Sequence, residues 1–149
     1  MHRTRLLIVD DHEIFRRGLR SILESRPEIE ICGEATNGLE AVEIAKELRP
    51  DVVLMDISMP YLDGLQATRQ IRNEVPNSSI LLLSQHDSSY MLSAALKAGA
   101  SAYVTKSQIS MSLLAALEGV MRGEPFNWNS DGAVSDSGTG SVKTGIDFE

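Results

Sequence analysis

Short apolar runs punctuate the chain five times: Leu6–Val9, Ile29–Gly33 with partial alternation, Val52–Met55, Ile80–Leu83 and Ala102–Val104. None exceeds five residues, which suits a buried strand and is too short for most helices. Between them the apolar positions recur at helical spacing. Ile14, Phe15, Leu19, Ile22 and Leu23 share one face; Leu39, Val42, Ile44, Ala45 and Leu48 share another. The same period continues through Leu65, Thr68, Ile71 and Arg72, then Met91, Ala94, Ala95 and Ala98, and finally Ile109, Leu113, Leu114, Leu117, Val120 and Met121. Pro27, Pro50 and Pro76 each stand just before a predicted strand, and helices usually end before proline. Gly99, after Lys97-Ala98, reads as a helix C-cap glycine.

Strand followed by helix, five times over, implies a parallel sheet with helices on both faces. The fold class is therefore α/β. Right-handed crossovers leave few topologies, and the flavodoxin-like order 2-1-3-4-5 is the natural one for five such units. From about Gly123 the pattern stops. Residues 1–123 form the predicted domain. Residues 124–149 are rich in Gly, Ser and Asp with no sustained period, and are expected to be a weakly ordered or disordered tail. Within it, Pro125, Phe126 and Trp128 offer an alternative, docking on the domain.

Composition narrows the function classes. The chain of 149 residues is 42% hydrophobic and 23% charged, ordinary values for a globular protein. No apolar run approaches the roughly 20 residues of a membrane helix, and MHRTR has no secretory h-region behind it. The single cysteine, Cys32, allows no internal disulfide and reads as core filler. The reading is a cytoplasmic protein without a membrane partner. Net charge is −7, and residues 124–149 hold five acids against one base. Neither part carries a basic stripe, so direct nucleic-acid binding by this chain is disfavoured.

The chemistry gathers at the strand ends. In an open parallel sheet the ligand site lies beyond the carboxyl ends of the strands, at the switch point. Asp10 and Asp11 end the first strand, Asp56 the third, Ser84 the fourth, and Lys106 follows the fifth. Three carboxylates in one crevice raise one another's pKa unless a cation is present. Hard oxygen ligands with room for water suit Mg²⁺ (or Mn²⁺). A carboxylate beside such an ion is a nucleophile towards a phosphoryl group. Lys106 and Ser84 supply the positive charge and the hydroxyl donor that the transferring group needs.

Four stretches, VDDH, LMDISMPYLDG, LLLS and GASAYVTKS, in this order at strand ends, resemble the receiver domain of two-component response regulators, from Leu6 to about Arg122. VDDHEIFRRGL with KAGASAYVTKS is most similar to the NarL/LuxR-type subfamily, whose members usually carry a helix-turn-helix domain after the receiver. The resemblance implies that Asp56 accepts a phosphoryl group from a histidine kinase. It implies that Asp11 ligates Mg²⁺ directly, Asp10 mainly through water, and that Asp56 and the backbone carbonyl of Ser58 complete the protein ligands. Lys106 would pair with phosphoryl oxygens, the Ser84 hydroxyl would move to bond them, and Tyr103 would rotate inward behind it. Ser58 and His86 would tune phosphoryl lifetime. Ile14, Arg17 and Gly18 would lie on a kinase-docking surface. Pro60 and Gly64 fit the family's loop. Phosphorylation would shift a two-state face, with homodimerisation as one outcome.

Plainer readings stand beside these. Asp10-Asp11 also suits a helix N-cap, and Asp63 before Gly64 is read as a cap rather than a ligand. Ser84 also suits a structural hydroxyl and Tyr103 simple packing. Asp51 begins its strand at the opposite end and is excluded. His12 and His86 rim the site but are not needed as phosphoryl carriers. Arg16, Arg17 and Arg20 are read as a solvated helix face. The chain is expected to be a signalling switch, not an enzyme beyond its own phosphotransfer and autodephosphorylation. Its output is expected to be transcriptional, through a DNA-binding domain absent from this chain and lost by truncation. The alternative is a stand-alone single-domain receiver acting by protein contacts. A Mg²⁺-dependent aspartyl-phosphate phosphatase is less favoured, because Ser58 stands where those enzymes place a second acid. A nucleotide or flavin module would need a glycine-rich loop where DDHEIF stands. A degenerate receiver would not keep the acid pair, acceptor and lysine.

Overall fold

The computed structural model describes residues 3–85, 88–124 and the backbone of 127–129. The chain runs β1 (Thr4–Val9), α1 (Glu13–Glu24), β2 (Ile29–Ala35), α2 (Gly38–Leu48), β3 (Val52–Asp56), α3 (Gly64–Glu74), β4 (Ser79–Ser84), α4 (Ser89–Ala98), β5 (Ala102–Thr105), a 3₁₀ turn (Lys106–Gln108), α5 (Ile109–Met121) and β6 (Asn127–Asn129). All strand pairs are parallel, in the order β2-β1-β3-β4-β5-β6. The first five strands stand in the expected order. The sixth goes beyond the five expected: Asn127–Asn129, within the segment expected to be weakly ordered or disordered, extends the sheet with Trp128 in register with Tyr103, in line with the docking alternative for Trp128. Pro125, Phe126 and residues 130–149 of that segment lie outside the described residues.

The strands look uniformly apolar in sequence, but the two-residue period of the pleat divides them between two cores. Leu7, Val9, Val53, Met55, Ile80, Leu82 and Tyr103 face α2, α3 and α4 through Val42, Ala67, Ile71 and Ala95. Leu6, Ile8, Val52, Leu54, Leu81, Leu83 and Val104 face α1 and α5 through Leu19, Leu23, Leu113 and Leu117. Burial on both faces explains why the runs are continuous rather than alternating.

The helix boundaries follow local chemistry. Asn37, Asp63 and Ser88 cap α2, α3 and α4, accepting from the amides of Glu40, Gln66 and Met91. Gly99 closes α4 at φ 102°, the left-handed cap expected of it. Two apolar positions depart from the expected faces. Ile14 is 82% and Leu39 54% exposed. Each is the second residue of its helix. Cys32 is half-buried rather than deep in the core.

Candidate functional site

Sheet register does the assembling. Asp56, the last residue of β3, pairs with Leu83, so Ser84 lies one step further on β4; Ser84 in turn pairs with Thr105, and Lys106 comes next. Asp10 leaves the end of β1, its amide donating to Ala35 O at the end of β2 (3.1 Å). The sheet thus places three acids, a hydroxyl and a lysine at one edge.

Asp10 is wholly buried. Its Oδ1 accepts the His12 amide (2.8 Å) and lies 3.1 Å from His12 Nδ1. Its Oδ2 accepts from Lys106 Nζ (3.0 Å). Lys106 also lies 3.4 Å from Asp56 Oδ1. Its ammonium sits 4.1 Å from the centre of the Phe15 ring, a cation–π contact that helps hold a cation in a poorly solvated place. Asp11 is the outward member of the pair: its side chain keeps 31% exposure, and its Oδ1 lies 3.2 Å from His12 Nδ1. Among the described residues, Asp10, Asp11, His12 and Asp56 each bring one ligand atom within 4.8 Å of the others. A shallow hollow lined by His12, Phe15, Gln85 and Lys106 gives access to the edge.

The electrostatics are unbalanced. Asp56 is 2% exposed, and its carboxyl is pushed up to about 6 by burial first and by the charge of Asp10 second, against the opposing pull of Lys106. One ammonium faces three carboxylates. A divalent cation fits this donor set, since hard oxygen ligands, one of them still open to water, are what Mg²⁺ takes.

The backbone around Asp56 is tight. A Cβ at Gly64 would stand 2.4 Å from the Asp56 carbonyl oxygen, so only glycine lets α3 start there. Tyr61, in the intervening loop, takes φ 68° and is 82% exposed. Pro60 and Ser58 are exposed in that loop. Ser84 is 4% exposed and Tyr103 fully buried. Asp51 is at the opposite end, accepting the Arg5 amide (2.8 Å), as its exclusion required. Asp10 does not cap α1; His12 occupies the N-cap without a side-chain bond. His86 lies outside the described residues. Gly18 is open and Arg17 is 74% exposed beside Glu13, so the proposed docking residues do share an exposed stretch of α1 with Ile14.

Arg16 corrects the sequence reading. It is not part of a solvated face: its side chain is only 15% exposed, its Nε donates to Glu34 Oε1 (2.9 Å) and its Nη1 to the Asp10 carbonyl (2.7 Å). Arg20 also pairs with Glu34. His12 rims the site as expected, and Phe15, expected on the inward helix face, also meets Lys106. The adjacency of His12 to the acids was a signal for its contacts; nothing local announced the meeting of Phe15 with Lys106.

Comparisons with known proteins agree with this geometry. The model of the response regulator receiver domain matches residues 6–118. The transcriptional regulatory protein LiaR of Bacillus subtilis (strain 168) is 40% identical over 121 residues, 81% of this chain and 57% of LiaR. DegU of Brevibacillus brevis is 38% identical over 125 residues, 84% of this chain and 53% of DegU. The chain therefore spans just over half the length of these relatives. Among solved structures, a LuxR-family two-component response regulator from Aurantimonas sp. SI85-9A1 superposes with a TM-score of 0.80 at 38% identity, covering 83% of this chain and 89% of that one. The receiver domain of a NarL regulator from Mycobacterium tuberculosis gives 0.79 at 31%, covering 83% and 100%. The chain belongs to the response regulator receiver domain family, and its relatives are two-component regulators of the NarL/LuxR type.

Proposed function

We propose that this receiver takes a phosphoryl group on the Asp56 carboxylate from the phosphohistidine of a histidine kinase. The reaction is written as an in-line exchange. A carboxylate oxygen of Asp56 forms the new P–O bond, the P–N bond to the donor imidazole breaks, and the imidazole leaves with the electron pair and takes up a proton. The observation that carries the reading is the buried Asp56, crowded by Asp10 and faced by Lys106.

The residues divide the work by position. Lys106 Nζ already lies within reach of Asp56 and neutralises phosphoryl oxygens. Asp11, open to solvent, would ligate Mg²⁺ or Mn²⁺ directly. Asp10, whose oxygens already accept from His12 and Lys106, would act through water and by orienting the lysine. Asp56 and the Ser58 carbonyl would complete the protein ligands. When bound, the ion offsets charge on the phosphoryl oxygens. Ser84, one register step beyond the Asp56–Leu83 pair, would donate its hydroxyl to the acyl phosphate. Tyr103, buried on β5 in register with Leu82 of β4, would be the second switch residue. Ser58, exposed in the loop after Asp56, would set phosphoryl lifetime through the attacking water. The chain acts as a switch with self-catalysed phosphotransfer rather than as a turnover enzyme, in a cytoplasmic setting. Among the described residues no helix is long and apolar enough to cross a membrane.

The output we assign is transcriptional, through sequence outside this chain. LiaR and DegU, the relatives named above, are transcriptional regulatory proteins of which the matched stretch covers 57% and 53%. Kinase contact through Ile14, Arg17 and Gly18 and phosphorylation-driven homodimerisation belong to the same proposal. The test is incubation with acetyl phosphate and Mg²⁺ followed by intact mass. A phosphoryl-sized gain in the wild type, absent without the metal and in Asp56→Asn, is the expected result. No gain in the wild type would overturn the proposal.

A further inference from the structure

We infer that Arg16 is a positioning residue for the acid pair, and that it sets the metal affinity of the site without touching the metal. The inference rests on the Mg²⁺ reading above. Its starting point is the peptide unit between Asp10 and Asp11. That unit is planar, so holding its carbonyl restrains its orientation as a whole, and with it ψ of Asp10 and the direction in which the chain enters Asp11. Both bear on where the Asp11 carboxylate points relative to Asp10. At this residue the chain has left β1: the Asp10 amide still bonds Ala35 O, but the strand register has ended at Val9. Arg16 Nη1 takes over, donating to the Asp10 carbonyl at 2.7 Å.

Arg16 is itself held. It lies one helical turn past His12, its amide bonding His12 O (3.0 Å), and Glu34 at the end of β2 grips its Nε (2.9 Å). Arg20, one turn further along α1, pairs with the same carboxylate. The arginine and the glutamate are 15% and 22% exposed, so neither is a loose surface pair. A fork of donors bridging a strand-end carboxylate and a backbone carbonyl is geometry that guanidinium supplies and ammonium does not. The result is a brace from β2, through α1, to the peptide that aims Asp11.

The role makes a prediction opposite in sign to plain electrostatics. Removing a positive charge this close to a cation site ought to strengthen Mg²⁺ binding. Removing a brace ought to weaken it, and partners that orient metal ligands are typically worth about tenfold or more in affinity. Mg²⁺ is titrated into wild type, Arg16→Gln and Arg16→Lys, with amide chemical shifts read at a temperature where metal-free melting shows each protein folded. The melting curves report any structural cost separately. The expected result is a dissociation constant raised about tenfold in Arg16→Gln and severalfold in Arg16→Lys, which keeps the charge but not the fork. An affinity equal to or tighter than wild type in Arg16→Gln overturns the inference. If that variant does not fold, an unchanged affinity in Arg16→Lys overturns it instead. A wild type that binds no Mg²⁺ removes the metal reading itself, and this inference with it.

Discussion

The two ends of the sheet solve opposite problems with similar residues. At the amino end, polar groups are matched by groups of the fold. Asp51 accepts the Arg5 amide, the Arg5 guanidinium donates to the carbonyls of Leu48 and Arg49, and the buried Ser78 hydroxyl donates to Pro50 O. Arg72 closes the neighbouring turn through the carbonyls of Pro76 and Ser78. At the carboxyl end, Asp10 and Asp56 are buried more deeply than Asp51, yet crowd each other and share Lys106. Matched polar groups stabilise a fold; like charges left crowded in a crevice cost stability and mark a site that something else completes. The comparison teaches how to tell a structural acid from a working one: both begin or end a strand, and only their partners separate them.

The sharpest break between the two ends is functional. Asp56→Asn should abolish phosphoryl transfer, while Asp51→Asn at the other end should leave transfer by acetyl phosphate intact, both read by mass.

Stability should move the other way. A carboxyl held at about 6, above its ordinary 3.8, binds its proton more tightly in the folded protein. The contribution of Asp56 is therefore most favourable below about pH 4 and is lost as pH rises through about 6. Metal-free protein should lose on the order of 3 kcal/mol from this group across that window. Asp56→Asn should melt higher than wild type at neutral pH, and Mg²⁺ should raise the melting temperature of the wild type. Melting curves at pH 4.5 and 7.5, with and without the metal, check both signs.

Ser78→Ala probes the matched end. It leaves the Pro50 carbonyl without its buried donor, and should cost about 1 to 3 kcal/mol in denaturant unfolding with no change in phosphorylation. The smallest effect belongs to a cap. Asp63→Ala removes the acceptor for the Gln66 amide at the start of α3 and should cost about 1 kcal/mol by the same assay.

Much of this was legible along the chain because local physics decided it. The apolar runs, the prolines before strands, the Gly99 cap and the Asp63 cap depend on neighbours in sequence. The site's acids and lysine were legible for a different reason: in a parallel sheet every strand's carboxyl end lies on one edge. What escaped was set by distant partners. Arg16 reads as one more surface arginine until Glu34, eighteen residues on, closes over it. Ile14 and Leu39 keep the helical period of a buried face but, in the first turns of their helices, stay exposed. Asn127–Asn129 carries no apolar run; its pairing rests on the open edge of β5.

The central claim is that Asp56 is the phosphoryl acceptor, and locating the new bond tests it most directly. After incubation with acetyl phosphate and Mg²⁺, borohydride reduces an aspartyl phosphate to homoserine, which peptide mass mapping assigns to a position. The account predicts homoserine at residue 56 and unmodified aspartate at residues 10 and 11. Homoserine at either of those, or a phosphoryl group retained on histidine, would contradict it.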